Sequence, residues 1–143
     1  MLRGKRKAGC GITLIELLAV LAIVSILVTF AFPSYQELLR KSRRSDAAAV
    51  LLTLQIEQER YRATHLHYAE GLTSLGWAAD EIDSPGGYYR IALDAVEDPA
   101  ISFRARATPR AGTDQVHDAC GTLRLDQNGP DLDDPERAAC WPR

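Results

Sequence analysis

The chain is poor in the residues on which most protein chemistry is built. Its 143 residues include three cysteines and three histidines. Cys10, Cys120 and Cys140 form no CxxC pair, which removes the common zinc and dithiol motifs. His65, His67 and His117 offer only a loose H-x-H spacing in what reads as a loop, and surface histidines are commoner than ligands there. No Ser-His-Asp or Cys-His arrangement stands at an informative spacing. Nothing reads as a catalytic centre, and no cofactor or metal is implied. Internal repeats and low-complexity tracts are missing as well, which excludes repeat architectures. Acid is missing from one place in particular. Residues 1–11 hold Arg3, Lys5, Arg6 and Lys7 and no Asp or Glu. Without those four bases, 13 Lys+Arg stand against 19 Asp+Glu, a charge of −6. Such a chain is not a general nucleic-acid binder by bulk electrostatics.

What the chain has instead is one long apolar run over residues 12–32, opening Ile12-Thr13-Leu14-Ile15-Glu16-Leu17-Leu18. As a helix it would be about 31 Å long, matching the hydrocarbon thickness of a bilayer. The basic residues before it predict a cytoplasmic N-terminus. Glu16 is the single charge inside the run, and an anionic side chain at such a position marks a functional partner. No A-x-A-like site closes the run, unlike a secretory signal. Pro33 follows it and would loosen a helix there.

Beyond Pro33 the pattern stays helical but becomes amphipathic. Ala47, Val50, Leu51, Leu54 and Tyr61 recur near a period of 3.6, with Gln58 the polar exception on that stripe. Arg44, Gln55, Glu59 and Arg62 lie opposite. From residue 88 the period drops to two. Tyr89, Ile91 and Leu93 form one face of a first strand, Ile101, Phe103, Ala105 and Ala107 one face of a second, and Leu123 and Leu125 one face of a third spanning 120–125. Turns at Glu97-Asp98-Pro99, over 108–119 and at Asn128-Gly129-Pro130 predict antiparallel pairing. The predicted fold is therefore α+β, a long N-terminal helix packed on a small antiparallel sheet. It divides into a leader (1–11), an apolar helix half (12–32), an amphipathic half (33–63), a connecting region (64–87) and a sheet with its C-terminal tail (88–143).

The segment Gly11-Ile12-Thr13-Leu14-Ile15-Glu16, with its basic leader and Pro33, resembles the processing signal of type IV prepilins. Ser84-Pro85-Gly86-Gly87-Tyr88-Tyr89, the stretch Cys120-Gly121-Thr122-Leu123 running on to Asn128-Gly129, and Cys140-Trp141 are similar to minor pilins of the PilE type. The resemblance implies cleavage between Gly11 and Ile12 by a prepilin peptidase and N-methylation of Ile12, although the family usually has phenylalanine there. It implies a single-pass inner-membrane precursor, inner-membrane assembly machinery and a final place in an extracellular pilus beside other pilin subunits. Glu16 would pair with a neighbouring subunit's N-terminal amine. Cleavage would discard Cys10 and leave Cys120 and Cys140 as a disulfide pair in an oxidising compartment. The alternatives are a type II secretion pseudopilin and a DNA-binding minor pilin for DNA uptake.

Three further groups are candidates for binding. Asp126, Asn128, Asp131, Asp133, Asp134 and Glu136 form an oxygen-rich turn, and four of them (Asp126, Asn128, Asp131 and Asp133) are the candidate calcium ligands. The spacing departs from the EF-hand loop and favours a solvated turn. Arg40, Lys41, Arg43 and Arg44 form a basic run that would meet lipid headgroups, acidic neighbours or solvent. Arg104 and Arg106, with Arg90 beside them, make a candidate DNA stripe, against which the acidic mature charge argues.

Overall fold

The computed structural model describes residues 12–133 and 135–142. Its first element is helix α1, Leu14–His65, 52 residues long, with Pro33 inside it. The chain divides after Gln36 into two units.

The N-terminal unit is the apolar part of α1. Its most apolar 18-residue window has a mean hydropathy of 2.7, and none of it is buried among the described residues. Ile12, Leu14, Ile15, Phe30 and Phe32 are all well over half exposed. Two hydroxyls inside the run are satisfied by the helix itself. Ser25 donates to the Leu21 carbonyl at 2.7 Å and Thr29 to the Ser25 carbonyl at 2.9 Å. A helix that satisfies its own hydroxyls and, Glu16 apart, exposes mainly hydrocarbon is what a bilayer accepts.

The C-terminal unit begins at Glu37. Here α1 buries Ala47, Ala48, Leu51, Leu54 and Gln58. Leu66 then takes a left-handed conformation (φ 63) and its N–H bonds the Arg62 carbonyl, closing the helix. A short 3-10 turn, Leu72–Leu75, leads into the sheet. Five antiparallel strands follow in sequence order: β1 Glu81–Asp83, β2 Tyr89–Asp94, β3 Arg104–Pro109, β4 Leu123–Asp126 and β5 Gly129–Pro130. A second 3-10 turn, Asp114–His117, sits between β3 and β4, and a six-residue helix α2, Pro135–Cys140, follows β5.

Register decides which face each side chain takes. Ile91 opposes Ala107, Leu93 opposes Ala105, and these oppose Leu123 and Leu125 in turn. Tyr89, Ile91, Ala105, Ala107, Leu123 and Leu125 make one buried face, joined in a single core with Tyr68, Leu72, Phe103, Trp141 and the helix stripe. The architecture is the predicted α+β arrangement, an apolar N-terminal helix with its second half packed on an antiparallel sheet.

Several details differ from expectation. Ile101 precedes β3 and is 64% exposed, so only Phe103, Ala105 and Ala107 of that proposed face turn inward. The third strand starts at Leu123 rather than residue 120; it ends at Asp126 before a turn at residues 127–128, and Gly129–Pro130 then adds the short strand β5. β1 arises inside the expected connecting region because Glu81–Asp83 pairs with Arg90–Ala92. Ala92 shares the outer face with its cross-strand partners Glu81 and Arg106, and is nevertheless almost fully buried.

Candidate functional sites: the N-terminal helix and an arginine face

Gly11, one side of the expected cleavage site, lies outside the described residues. Ile12, the other side, is 75% exposed. Thr13 precedes α1, and its Oγ1 accepts the Glu16 backbone N–H at 3.3 Å. Thr13-Leu14-Ile15-Glu16 has the spacing of a capping box, in which a threonine satisfies an otherwise unpaired donor of the first turn. The first turn also favours a negative side chain through the helix dipole. Glu16 is thus well placed for helix initiation, and its carboxylate has no ion-pair partner among the described residues. The capping role was readable in the sequence from the T-x-x-E spacing.

The basic run after Pro33 finds acidic partners within the protein. Arg40, Arg43 and Arg44 do not form a free surface. Arg40 makes a paired contact to Asp114, through Nε at 3.0 Å and Nη2 at 3.1 Å, and Arg43 reaches the same carboxylate at 4.0 Å. The Arg43 guanidinium also lies 3.9 Å over the Tyr88 ring. Arg44 pairs with the buried Asp118 at 3.2 Å and contacts Cys120 Sγ. Asp118 Oδ2 further accepts from Tyr89 Oη (3.2 Å) and Gln115 Nε2 (2.7 Å). Burial raises the Tyr89 phenol above its ordinary pKa, so it stays a donor to that carboxylate. The hydrogen bond from Arg40 holds Asp114 below the usual carboxylate range. Three of the four basic side chains therefore pin the loop between β3 and β4 onto α1. Lys41 is exposed.

Cys120 and Cys140 are joined by a disulfide with Cα atoms 5.6 Å apart. It ties α2 to the start of β4, and Trp141, the next residue, enters the core at 8% exposure.

The calcium candidates have other contacts. Asp126 Oδ1 accepts the Asn128 N–H at 2.7 Å, an aspartate turn of a common kind. Asp131 pairs with Arg137 at 2.6 Å. Asp133 is exposed, and Asp134 lies outside the described residues. His65 and His67 sit with ring centroids 6.2 Å apart beside Tyr61, while His117 is in the second 3-10 turn. Among the described residues no group of three or more His, Cys, Asp or Glu is arranged to hold a metal.

The outer face of the sheet is where arginines gather. Arg104 and Arg106 both point outward from β3, as the alternation predicts. They line different grooves. Arg90, Arg106, Arg110 and Arg124 line an open groove of about 620 Å³. Arg104 and Arg124 line a second, of about 570 Å³, with Asp94, Asp126, Asp131 and Asp133. The basic stripe runs across the strands rather than along β3. Arg106 and Arg124 are direct cross-strand partners. Like charges placed opposite each other destabilise a sheet, and a local rule broken in this way is characteristic of a functional surface. Arg110 and Arg124 were missed from sequence, although Arg124 stands between Leu123 and Leu125 and the same period-two reading places it outward.

The family model described as "Type IV minor pilin ComP, DNA uptake sequence receptor" matches residues 33–124. The prokaryotic N-terminal methylation motif matches residues 6–32. The chain belongs to the type IV pilin family. This pilin is 35% identical over 80 residues to the type IV major pilin protein PilE1 of Neisseria gonorrhoeae, covering 56% of the chain and 48% of that relative. It is 27% identical over 125 residues to the type IV major pilin protein PilA of Myxococcus xanthus, covering 87% and 54%. It is 34% identical over 89 residues to a fimbrial protein of Moraxella nonliquefaciens, covering 62% and 56%. The pilin thus spans about half the length of these relatives. Its family is structural, and its apolar helix suits membrane anchoring before assembly.

Proposed function

We propose that this pilin is a minor subunit of a type IV pilus. The observation that carries the reading is an apolar, unburied helix segment lying within the match to the N-terminal methylation motif. Hydrocarbon of that extent needs lipid or other helices around it. The precursor sits in the inner membrane, the leader on the cytoplasmic side. A prepilin peptidase cuts between Gly11 and Ile12, and Ile12 is N-methylated, which keeps the amine's charge. Inner-membrane assembly machinery then moves the helix from lipid into a filament of other pilin subunits. Glu16 pairs with a neighbour's N-terminal amine and sets register, and Pro33 loosens the helix as it leaves the bilayer. A charge buried without its partner is disfavoured by about 3–5 kcal/mol. Glu16→Gln keeps the backbone contact to Thr13 and removes only the charge. The expected outcome is precursor at normal level in the membrane with little of it in sheared filaments. Incorporation equal to wild type would refute the pairing. Recovery only with a secretion apparatus would favour the pseudopilin alternative.

A second reading adds DNA capture to the first. The match to a DNA-uptake receptor family and the arginine groove on the sheet both favour it. Arginines aligned across three elements suit phosphates repeated along a backbone. Loss of two phosphate contacts in Arg106→Ala/Arg124→Ala should lower the slope of log K against log salt by about 2. A variant with unchanged affinity and slope would remove this reading and leave the first intact.

A further inference from the structure

The arginine groove is not bare. Arg90 Nε lies 3.5 Å from Asp83 Oδ1 and its Nη1 lies 4.0 Å from Glu81 Oε2. Arg110 Nη1 lies 3.0 Å from Asp83 Oδ2. Arg106 reaches Glu81 at 3.8 Å and also pairs with Asp94. Three carboxylates thus engage three of the four groove arginines. Arg124 is different, having no carboxylate within ion-pair distance among the described residues.

Position explains how this comes about. β1 is the edge strand, and its register sets Glu81 opposite Ala92 and Asp83 opposite Arg90. Both β1 acids face outward on the same side as the arginines. All these side chains keep substantial exposure: 55% for Glu81, 36% for Asp83, 51% for Arg90 and 46% for Arg110. Exposed pairs of this kind contribute about 0.2–1 kcal/mol each. They are strong enough to occupy an arginine and weak enough to open.

We propose that Glu81, Asp83 and Asp94 are competitor anions that set the specificity of the groove, occupying Arg90, Arg106 and Arg110 until a polyanion displaces them. The inference rests on the DNA-capture reading. At Arg90, Arg106 and Arg110 a single phosphate meets a carboxylate already tethered beside the arginine, at an effective concentration in the millimolar range or above. A polyanion first engages the unpaired Arg124 and then offers its next phosphates to the neighbouring arginines as a connected chain. It competes on the same intramolecular terms as the carboxylates, and a phosphate takes arginine in a two-bond geometry. The acids therefore select against small anions and weak contacts on a chain that is acidic overall.

The test uses full-length protein in non-ionic detergent and a fluorescein-labelled DNA duplex of mixed sequence. Glu81→Gln/Asp83→Asn removes partners of all three occupied arginines while keeping side-chain shape. The expected result is affinity raised about three- to tenfold, since several pairs each contribute a fraction of a kcal/mol. Asp94→Asn should give a smaller increase in the same direction. Glu37→Gln/Glu97→Gln makes the same change in net charge at residues that do not line the groove and should shift affinity less than about twofold. Wild type that binds, with a groove variant that binds no tighter than this control, overturns the competitor role and leaves DNA capture standing. No binding by wild type or groove variant, or binding that survives Arg106→Ala/Arg124→Ala, overturns both. Thermal melts matching wild type show that each variant is folded.

Discussion

Gln58 is the polar residue on the buried stripe of α1, and its replacement by leucine tests how the helix holds the following loop. The side chain is fully buried. Its Nε2 donates to the Ala69 carbonyl at 2.9 Å, and its Oε1 accepts the Ala69 N–H at 2.8 Å. Ala69 is itself 4% exposed and lies in no strand or helix. The glutamine amide therefore acts as the backbone partner that this loop residue lacks. Leucine nearly conserves volume, so no large cavity opens. It strands one buried donor and one buried acceptor, each at about 1–3 kcal/mol. Part of this is returned because an amide no longer has to be desolvated. A net loss of about 2–4 kcal/mol follows, large against the roughly 5–15 kcal/mol that holds a domain together. Urea titration of the full-length protein in detergent reads it out, because Trp77 and Trp141 both pack on this core. A midpoint equal to or above wild type would mean the loop finds other partners, and the account of Gln58 would be wrong.

Other outcomes follow from single contacts. The pairing of Arg40 with Asp114, and the Thr73 backbone N–H and hydroxyl on Asp80, hold both carboxylates below their ordinary 3.8. A lowered folded-state pKa contributes stability above the unfolded value and loses it as pH falls through the folded one. Tryptophan fluorescence should therefore report a loosening below about pH 4, and Asp114→Asn should flatten it. Cys120→Ser/Cys140→Ser should lower stability by about 3 kcal/mol in the chain-entropy model and red-shift Trp141 emission; an unshifted spectrum would show that Trp141 docks without the crosslink. At Gly71 an added Cβ would lie 2.6 Å from Asp80 Oδ1. Gly71→Ala should dislodge that carboxylate from Thr73 and lower stability by about 1–2 kcal/mol, measured by the same urea titration.

The sequence reveals those features that repeat. α1 shows itself by unbroken apolar character and then by a period of 3.6. β2, β3 and β4 show themselves by alternation around Ile91, Ala105 and Leu123. β1 and β5 span three and two residues, too short to carry a period. They exist because longer neighbours offer them hydrogen bonds. Ile101 continues the alternation of β3 but falls before the strand, where a turn turns it to solvent. Ion pairs are the least legible feature. Arg40 and Asp114 stand 74 residues apart, and only the fold brings them together, which is why the basic run's role as a loop clamp is not visible in the sequence. Gln58 is visible as an exception on its stripe, but its partner is an ordinary loop alanine. The arginine groove is half visible: alternation places Arg104 and Arg106 outward, whereas only register aligns Arg106 with Arg124.

Mass spectrometry of this pilin from sheared filaments tests the central claim most directly. The account predicts a mature chain that starts at Ile12, carries one N-terminal methyl group and has Cys120 joined to Cys140. Filament-borne protein that starts at Met1, or protein absent from filaments while abundant in the membrane, would contradict it.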